Sequence, residues 1–146
     1  MPSRSRERDR KGDPFSVRFT ASTDRTVEEE ARRTRRSKGA VVEALTEEAV
    51  RTRRFPGIAF RGDDARRRPW LIGTGLDIWE IVQMFEDFGS LERLVADTQL
   101  NERQVHLALA YRDAYPEEIA AAIGENRRSA ADWHELYPFI ELPASA

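Results

Sequence analysis

Near the N-terminus the chain has a short stretch in which apolar and polar residues alternate. Phe15, Val17 and Phe19 occupy every second position between polar neighbours. This period of two, carried by aromatic and β-branched residues, predicts a strand with one apolar face. The polar positions of the same strand, which would point the other way, are Ser16, Arg18 and Thr20.

Two helical patterns follow the predicted strand. Residues 26–36 place acidic side chains before basic ones, an order that complements a helix dipole. Their apolar stripe consists of Val27 and Ala31, so we expect a helix of marginal stability. Ser37 suits the N-cap of a second helix, whose apolar positions continue to about Arg53.

A single strand and two short helices bury too little apolar surface to fold alone, and the edge of the strand stays unpaired. We therefore expect a second copy of the chain. The pattern over residues 15–53 resembles the ribbon-helix-helix family, although the first helix lacks the leucines that are usual there. The other interpretation is an amphipathic strand followed by two ordinary surface helices.

The resemblance implies that two chains pair their strands into an antiparallel ribbon in the major groove of operator DNA. Ser16, Arg18 and Thr20 would then read base edges, because arginine recognises guanine O6 and N7 and hydroxyl groups serve several bases. Backbone amides at the start of the second helix would hold a phosphate. The residues of that turn are Ser37, Lys38 and Gly39.

The pattern changes after residue 54. Two short apolar stretches, 58–61 and 69–72, flank a polar turn and predict a small hairpin. Helical periodicity then continues to about residue 125, and capping residues or proline mark four helix starts, at Asp77, Ser90, Asn101 and Pro116. The predicted fold class is therefore mainly α: a ribbon-helix-helix segment, a hairpin, and a helix-turn-helix-like bundle of three or four helices.

Several separated motifs in this second part are similar to one family. They are Phe-Pro-Gly-Ile-Ala-Phe-Arg at 55–61, Leu-Ile-Gly-Thr-Gly-Leu-Asp-Ile-Trp-Glu-Ile-Val at 71–82, Ala-Leu-Ala-Tyr at 108–111 and Tyr-Pro-Glu-Glu-Ile at 115–119. They resemble the domain of unknown function numbered four-three-three, which occurs in VapB-type antitoxins. The resemblance implies a PIN-like ribonuclease toxin as partner, encoded beside the antitoxin.

The last residues of the chain are rich in aromatic side chains and would form the toxin-binding tail that the resemblance implies. Trp, Tyr and Arg are common hot-spot residues of interfaces. The candidate toxin contacts are Arg127, Arg128, Trp133, Leu136, Tyr137 and Phe139. The alternative is that the apolar members fold back onto the core of their own chain. The predicted organisation is thus a flexible basic arm at 1–14, the ribbon-helix-helix segment at 15–54, the module at 55–125 and the tail at 126–146.

Charge divides the chain in the same way. Residues 1–54 contain 15 Lys and Arg against 10 Asp and Glu, a net charge of +5, whereas the remainder contains 9 against 16, a net charge of −7. A basic half suits a polyanion, and an acidic half suits a protein surface or solvent. The helix from Asn101 carries no net positive charge, so we assign it to protein contact and keep DNA reading by it as a minor alternative.

Composition excludes several function classes. The chain has no cysteine and two histidines, His106 and His134, which rules out thiolate chemistry and leaves little for a metal. No convergent set of acid, base and nucleophile is visible, so we expect no enzymatic activity, no catalytic residue and no cofactor. We interpret His106 as half-buried in its helix. Neither a signal peptide nor a run long enough to span a membrane is present, and we expect a cytoplasmic location.

The sequence therefore predicts an antitoxin that binds operator DNA as a homodimer and neutralises a PIN-like ribonuclease. Toxin bound to the acidic half could join dimers into larger hetero-oligomers and raise DNA avidity. The main alternative is a stand-alone transcriptional regulator whose acidic half is a dimerisation or effector module. A structural adaptor without DNA affinity is the third interpretation.

Overall fold

A computed structural model describes residues 10–64, 66–127, 132 and 135, and it is mainly helical with one small antiparallel sheet. In chain order the elements of the described residues are α1 (Ala21–Thr34), α2 (Lys38–Arg54), β1 (Ile58–Arg61), β2 (Arg68–Leu71), α3 (Ile78–Phe88), α4 (Leu91–Asp97), α5 (Glu102–Ala114) and α6 (Pro116–Asn126). The mainly helical class and the hairpin are as predicted. The chain divides into two compact units, one ending at Ala44 and the other beginning at Leu45, so the division falls within α2 and before the predicted boundary at residue 54.

The first helix begins earlier than predicted. It starts at Ala21 rather than near Thr26, because Thr20 acts as its N-cap: the Thr20 hydroxyl accepts a hydrogen bond from the backbone N–H of Thr23 at 3.3 Å. Asp24 lies in the first turn and complements the helix dipole. The period-two stretch therefore ends directly at a helix cap, without a turn between them.

Residues 11–20 form neither a helix nor a strand in the isolated chain. The predicted strand needs a second chain for its hydrogen bonds, and that pairing stays a prediction. The three apolar side chains of the stretch lie in solvent, with Phe15 85%, Val17 55% and Phe19 36% exposed. Solvation of three large apolar groups in one short segment is unfavourable by the hydrophobic effect.

The turn between α1 and α2 contains an unusual backbone conformation. Arg35 has φ 54° and ψ 38°, in the left-handed region that residues with a Cβ rarely adopt. The amide of Arg36 donates to the carbonyl of Ala31 at 3.0 Å and ends α1. Ser37 caps α2, as predicted, by accepting from the amide of Ala40 at 3.1 Å.

The apolar side chains of α1 and α2 are only partly covered. Val27 on α1 and Val41 on α2 are buried. Leu45, one turn beyond Val41 on the same helix, is 49% exposed, although the sequence predicted it on the apolar face. The stripe on α2 thus continues from a buried to an exposed position.

In the hairpin, side chains alternate between a face toward the core and an outer face. The register pairs Ile58 with Leu71 and Phe60 with Pro69 on the inner face, and Ala59 with Trp70 and Arg61 with Arg68 on the outer face. The amide of Ile72 donates to the carbonyl of Gly57 at 3.0 Å, so Phe60 and Pro69 form a pair without ladder hydrogen bonds. Because of this register, the missing N–H of Pro69 costs no bond of the ladder.

The four later helices form the main core. Helix α3 lies at its centre and packs against α4, α5, α6 and β2. The predicted starts are confirmed: capping boxes at Asp77 and Asn101, a serine cap at Ser90, and proline in the first turn of α6. Fully buried side chains from several elements fill the interior, among them Ile58, Ile78, Ile81, Leu94, Val105 and Tyr111.

Two further expectations can be compared with the structure. His106 is exposed, not half-buried as predicted, because it lies on the side of α5 opposite Val105 and Ala108, which are buried. No helix among the described residues is long and apolar enough to cross a membrane.

Candidate nucleic-acid and partner-binding sites

The three residues predicted to read bases are exposed at the N-terminal side of α1. Ser16, Arg18 and Thr20 all lie in solvent. The hydroxyl of Thr20 is engaged, since it donates to the hydroxyl of Thr23 at 3.0 Å besides capping α1. Only Ser16 and Arg18 are therefore offered to a ligand without loss of a helix cap.

At the start of α2, where the sequence predicts a phosphate site, the lysine is paired with acidic side chains of α1. Lys38 pairs with Asp24, and with Glu28 at 3.6 Å. The hydrogen bond to Asp24 raises the pKa of Lys38 above its ordinary value. Ser37 uses its hydroxyl for the Ala40 amide, and Gly39 is exposed with open space where a Cβ would be. The positive charge of this turn is thus partly neutralised within the chain.

An arginine cluster that the sequence did not reveal joins the last turns of α2 to α5 and α6. The side chain of Arg51 is mostly buried, and its Nη1 donates to the Tyr111 hydroxyl and to Glu118 Oε2, each at 2.7 Å. The guanidinium also lies 3.9 Å from the centre of the Tyr115 ring and pairs with Glu47. Within the described residues, Arg51 Nε is the one buried side-chain nitrogen or oxygen without a hydrogen-bond partner.

Burial and charge set the protonation of this cluster. Burial raises the pKa of Tyr111, the nearby Glu118 adds to the effect, and Arg51 opposes it, with a net rise above the ordinary value. For Arg51, burial alone would lower the pKa, but the Tyr111 and Glu118 oxygens outweigh it and the pKa is raised. The cluster therefore holds a charged guanidinium beside a neutral phenol.

A second unpredicted cluster centres on Asp77. The residue is buried, and its carboxylate accepts from Arg61 Nε at 2.9 Å and from Arg68 Nε at 2.7 Å. Arg61 also donates to the carbonyl of Gly75 at 2.9 Å, and its guanidinium lies 4.8 Å from the centre of the Trp70 ring. Asp77 thus does two things at once, capping α3 and fixing the two outer arginines of the hairpin. The capping pattern was visible in the sequence, whereas the arginine pairs were not.

Of the residues predicted to bind a toxin, Arg127 belongs to the described part of the chain. Its Nη2 pairs with Asp87 at 2.9 Å and lies 3.9 Å from Glu86, both at the end of α3. The other members, Arg128, Trp133, Leu136, Tyr137 and Phe139, lie outside the described residues. Toxin binding by the tail stays a prediction.

Among the described residues, no group of three His, Asp or Glu side chains is placed so that it could hold a metal ion. Comparison with known proteins adds nothing to this geometry. No family model matches the chain, and neither a curated protein nor a solved structure matches it.

Proposed function

We propose that the chain is the antitoxin of a type II toxin-antitoxin system, which binds operator DNA as a dimer and neutralises a PIN-like ribonuclease. Its N-terminal segment pairs with that of a second copy and represses the operon. Its C-terminal region covers the toxin. The proposal has two parts, DNA binding and toxin binding, and they rest on different observations.

One observation carries the DNA-binding part. Phe15, Val17 and Phe19 are exposed at alternate positions directly before two capped helices. An unpaired segment with one apolar face gains both hydrogen bonds and apolar burial when it pairs with its own twin. Such a pairing places Arg18 on the opposite, solvent face, where a guanidinium can recognise guanine. The excess of basic residues up to residue 54 favours a polyanion as ligand.

Support for the toxin-binding part is the order of elements after residue 55. A hairpin and four helices carry the motifs at 55–61, 71–82, 108–111 and 115–119, on which the resemblance to the antitoxin module rests. The acidic balance of this region suits contact with a protein rather than with nucleic acid.

Stand-alone regulation without a toxin is the second candidate. The ion pairs of Arg127 with Asp87 and Glu86 favour it, because they engage the first predicted toxin contact within its own chain. In that case the acidic unit would serve dimerisation or effector binding.

Both parts are tested with the full chain. Fluorescence anisotropy should show tight binding to DNA from upstream of the gene, weaker binding to a scrambled duplex, and an affinity that falls steeply with salt. Co-expression with the adjacent open reading frame should give a soluble complex. It should also restore the growth of cells that the protein from this reading frame inhibits when it is expressed alone. Equal affinity for both duplexes would contradict the operator role. A free dimer that represses without a partner would establish the regulator instead.

A further inference from the structure

The outer face of the hairpin combines large apolar and cationic side chains on a rigid support. Its members are Ala59, Arg61, Arg68 and Trp70 of the strands, together with Ile72, whose amide hydrogen bond to the Gly57 carbonyl continues the same register. We call these residues the hairpin face. Ile72 is 55% exposed, and Trp70 is partly exposed. Trp and Arg are the residue types that contribute most to protein interfaces.

The two arginines of this face place two positive charges close together, which by itself destabilises the hairpin. Arg61 and Arg68 lie directly opposite each other on adjacent strands, and like charges in this position repel. Asp77 supplies one negative charge for the two positive charges. Glu80 accepts the backbone N–H of Asp77 at 2.7 Å and lies in the first turn of α3, where it offsets the helix dipole.

Of the two arginines, Arg68 makes fewer hydrogen bonds within the described part of the chain. In the part of the chain that the structure describes, it donates through Nε alone, and its side chain is half exposed. Arg61, in contrast, also holds the Gly75 carbonyl and covers the Trp70 ring. The terminal N–H groups of Arg68 can therefore donate to a carboxylate of another molecule while Nε–H stays bonded to Asp77.

From this arrangement we infer that the hairpin face binds a protein partner whose contact surface presents carboxylates beside a large apolar side chain. Arg68 pairs with the carboxylate, the indole N–H of Trp70 donates to it or to a backbone carbonyl, and Ile72 packs on the apolar group. Asp77 holds both arginines in place before binding, which lowers the entropy cost of the contact. The inference rests on the proposed function in one respect, that the partner is the toxin encoded beside the gene.

The test uses the full chain and the protein encoded by the adjacent open reading frame. Titration calorimetry compares the wild type with Arg68→Gln and Ile72→Ser. The matched controls are Arg93→Gln on α4 and Val50→Ser on α2, which replace an arginine and a β-branched apolar residue at exposed positions elsewhere. We expect each hairpin-face variant to weaken binding about tenfold and each control to change it less than about twofold. Thermal unfolding checks that all variants remain folded. Unchanged affinity in Arg68→Gln and Ile72→Ser would overturn the inference and leave the antitoxin proposal intact.

A second experiment separates the inference from the proposed function if the adjacent protein does not bind. Nuclear magnetic resonance of the ¹⁵N-labelled full chain follows the Trp70 indole and the Arg68 Nε–H signals during titration with the peptide Glu-Leu-Glu-Asp and with its lysine counterpart. Shifts caused by the acidic peptide alone would support the hairpin face as an acidic-protein site without a toxin. Shifts caused only by duplex DNA, or by raising the concentration of the chain itself, would overturn it, as would no shift with any of them.

Discussion

Arg51 on α2 donates to the hydroxyl oxygen of Tyr111 on α5 across 2.7 Å, although 60 residues separate them in sequence. Glu118 accepts from the same arginine nitrogen and from the Tyr111 hydroxyl, the latter at 3.3 Å. The Phe55 ring lies edge-on to Tyr111, with centres 5.2 Å apart. The last turns of α2 therefore belong to the second unit and contribute side chains to its interior.

The raised pKa of Tyr111 predicts a loss of stability in alkaline solution. In the unfolded chain the phenol releases its proton at a pH of about 10, whereas in the folded chain burial keeps the proton bound to higher pH. The contribution of the protonated Tyr111 phenol to the free energy of unfolding is thus complete below about pH 10. Above this pH the free energy of unfolding falls by about 1.4 kcal/mol per pH unit. Urea unfolding at pH 8 to 11 should show this slope in the wild type and a shallower one in Tyr111→Phe. Identical slopes in the two proteins would show that Tyr111 loses its proton at the same pH in the folded chain as in the unfolded chain.

Replacing Asp77 by asparagine should destabilise the second unit by about 1–2 kcal/mol, because it leaves the partly exposed Arg61 and Arg68 without their shared carboxylate. Asparagine caps helices as well as aspartate does, so the loss isolates the ion pairs from the cap. Asp87→Asn is the control, since it removes an exposed pair with Arg127 and should cost less than about 1 kcal/mol. Chemical denaturation measures both. Equal losses would mean that burial of the Asp77 pairs adds nothing.

Arg35→Gly should stabilise the turn after α1 relative to Arg35→Ala. Both variants remove the same charge, but only glycine relieves the left-handed conformation at φ 54°, which costs a residue with a Cβ roughly 1–2 kcal/mol. Amide hydrogen exchange along α1 provides the readout, with slower exchange expected in the glycine variant. Faster exchange in glycine than in alanine would indicate that the conformation is not strained.

Arg18→Ala should weaken operator binding by about 1–3 kcal/mol and relax sequence preference at one base pair. The residue is exposed on the polar side of the N-terminal segment. Arg103→Ala, an exposed arginine on α5, should leave operator affinity unchanged. Anisotropy titrations with base-substituted duplexes separate a base contact from a phosphate contact. A larger loss in Arg103→Ala would assign DNA reading to α5.

Local sequence signals predicted the helix starts and the hairpin because capping and period-two alternation act over a few residues. Ser90 and Asn101 cap helices as expected, and strands form at 58–61 and 68–71. The predicted start of α1 was wrong because several neighbouring residues are of types that cap helices. In the structure Thr20 is the residue that caps α1.

Contacts between distant residues could not be predicted in the same way. The pairs of Arg51 with Tyr111 and of Arg68 with Asp77 depend on packing that no periodicity encodes. A lone strand such as the one predicted at residues 15–20 needs a partner chain to form its hydrogen bonds.

If residues 15–20 pair with those of a second copy, the two segments must lie side by side, and a distance between the two chains measures this directly. Because the chain has no cysteine, Arg18→Cys accepts a single nitroxide label for pulsed electron paramagnetic resonance. Antiparallel strands lie about 4.8 Å apart, so we expect an intermolecular label distance below about 25 Å in the DNA-free protein. A signal without intermolecular dipolar coupling, or distances beyond about 40 Å, would contradict it.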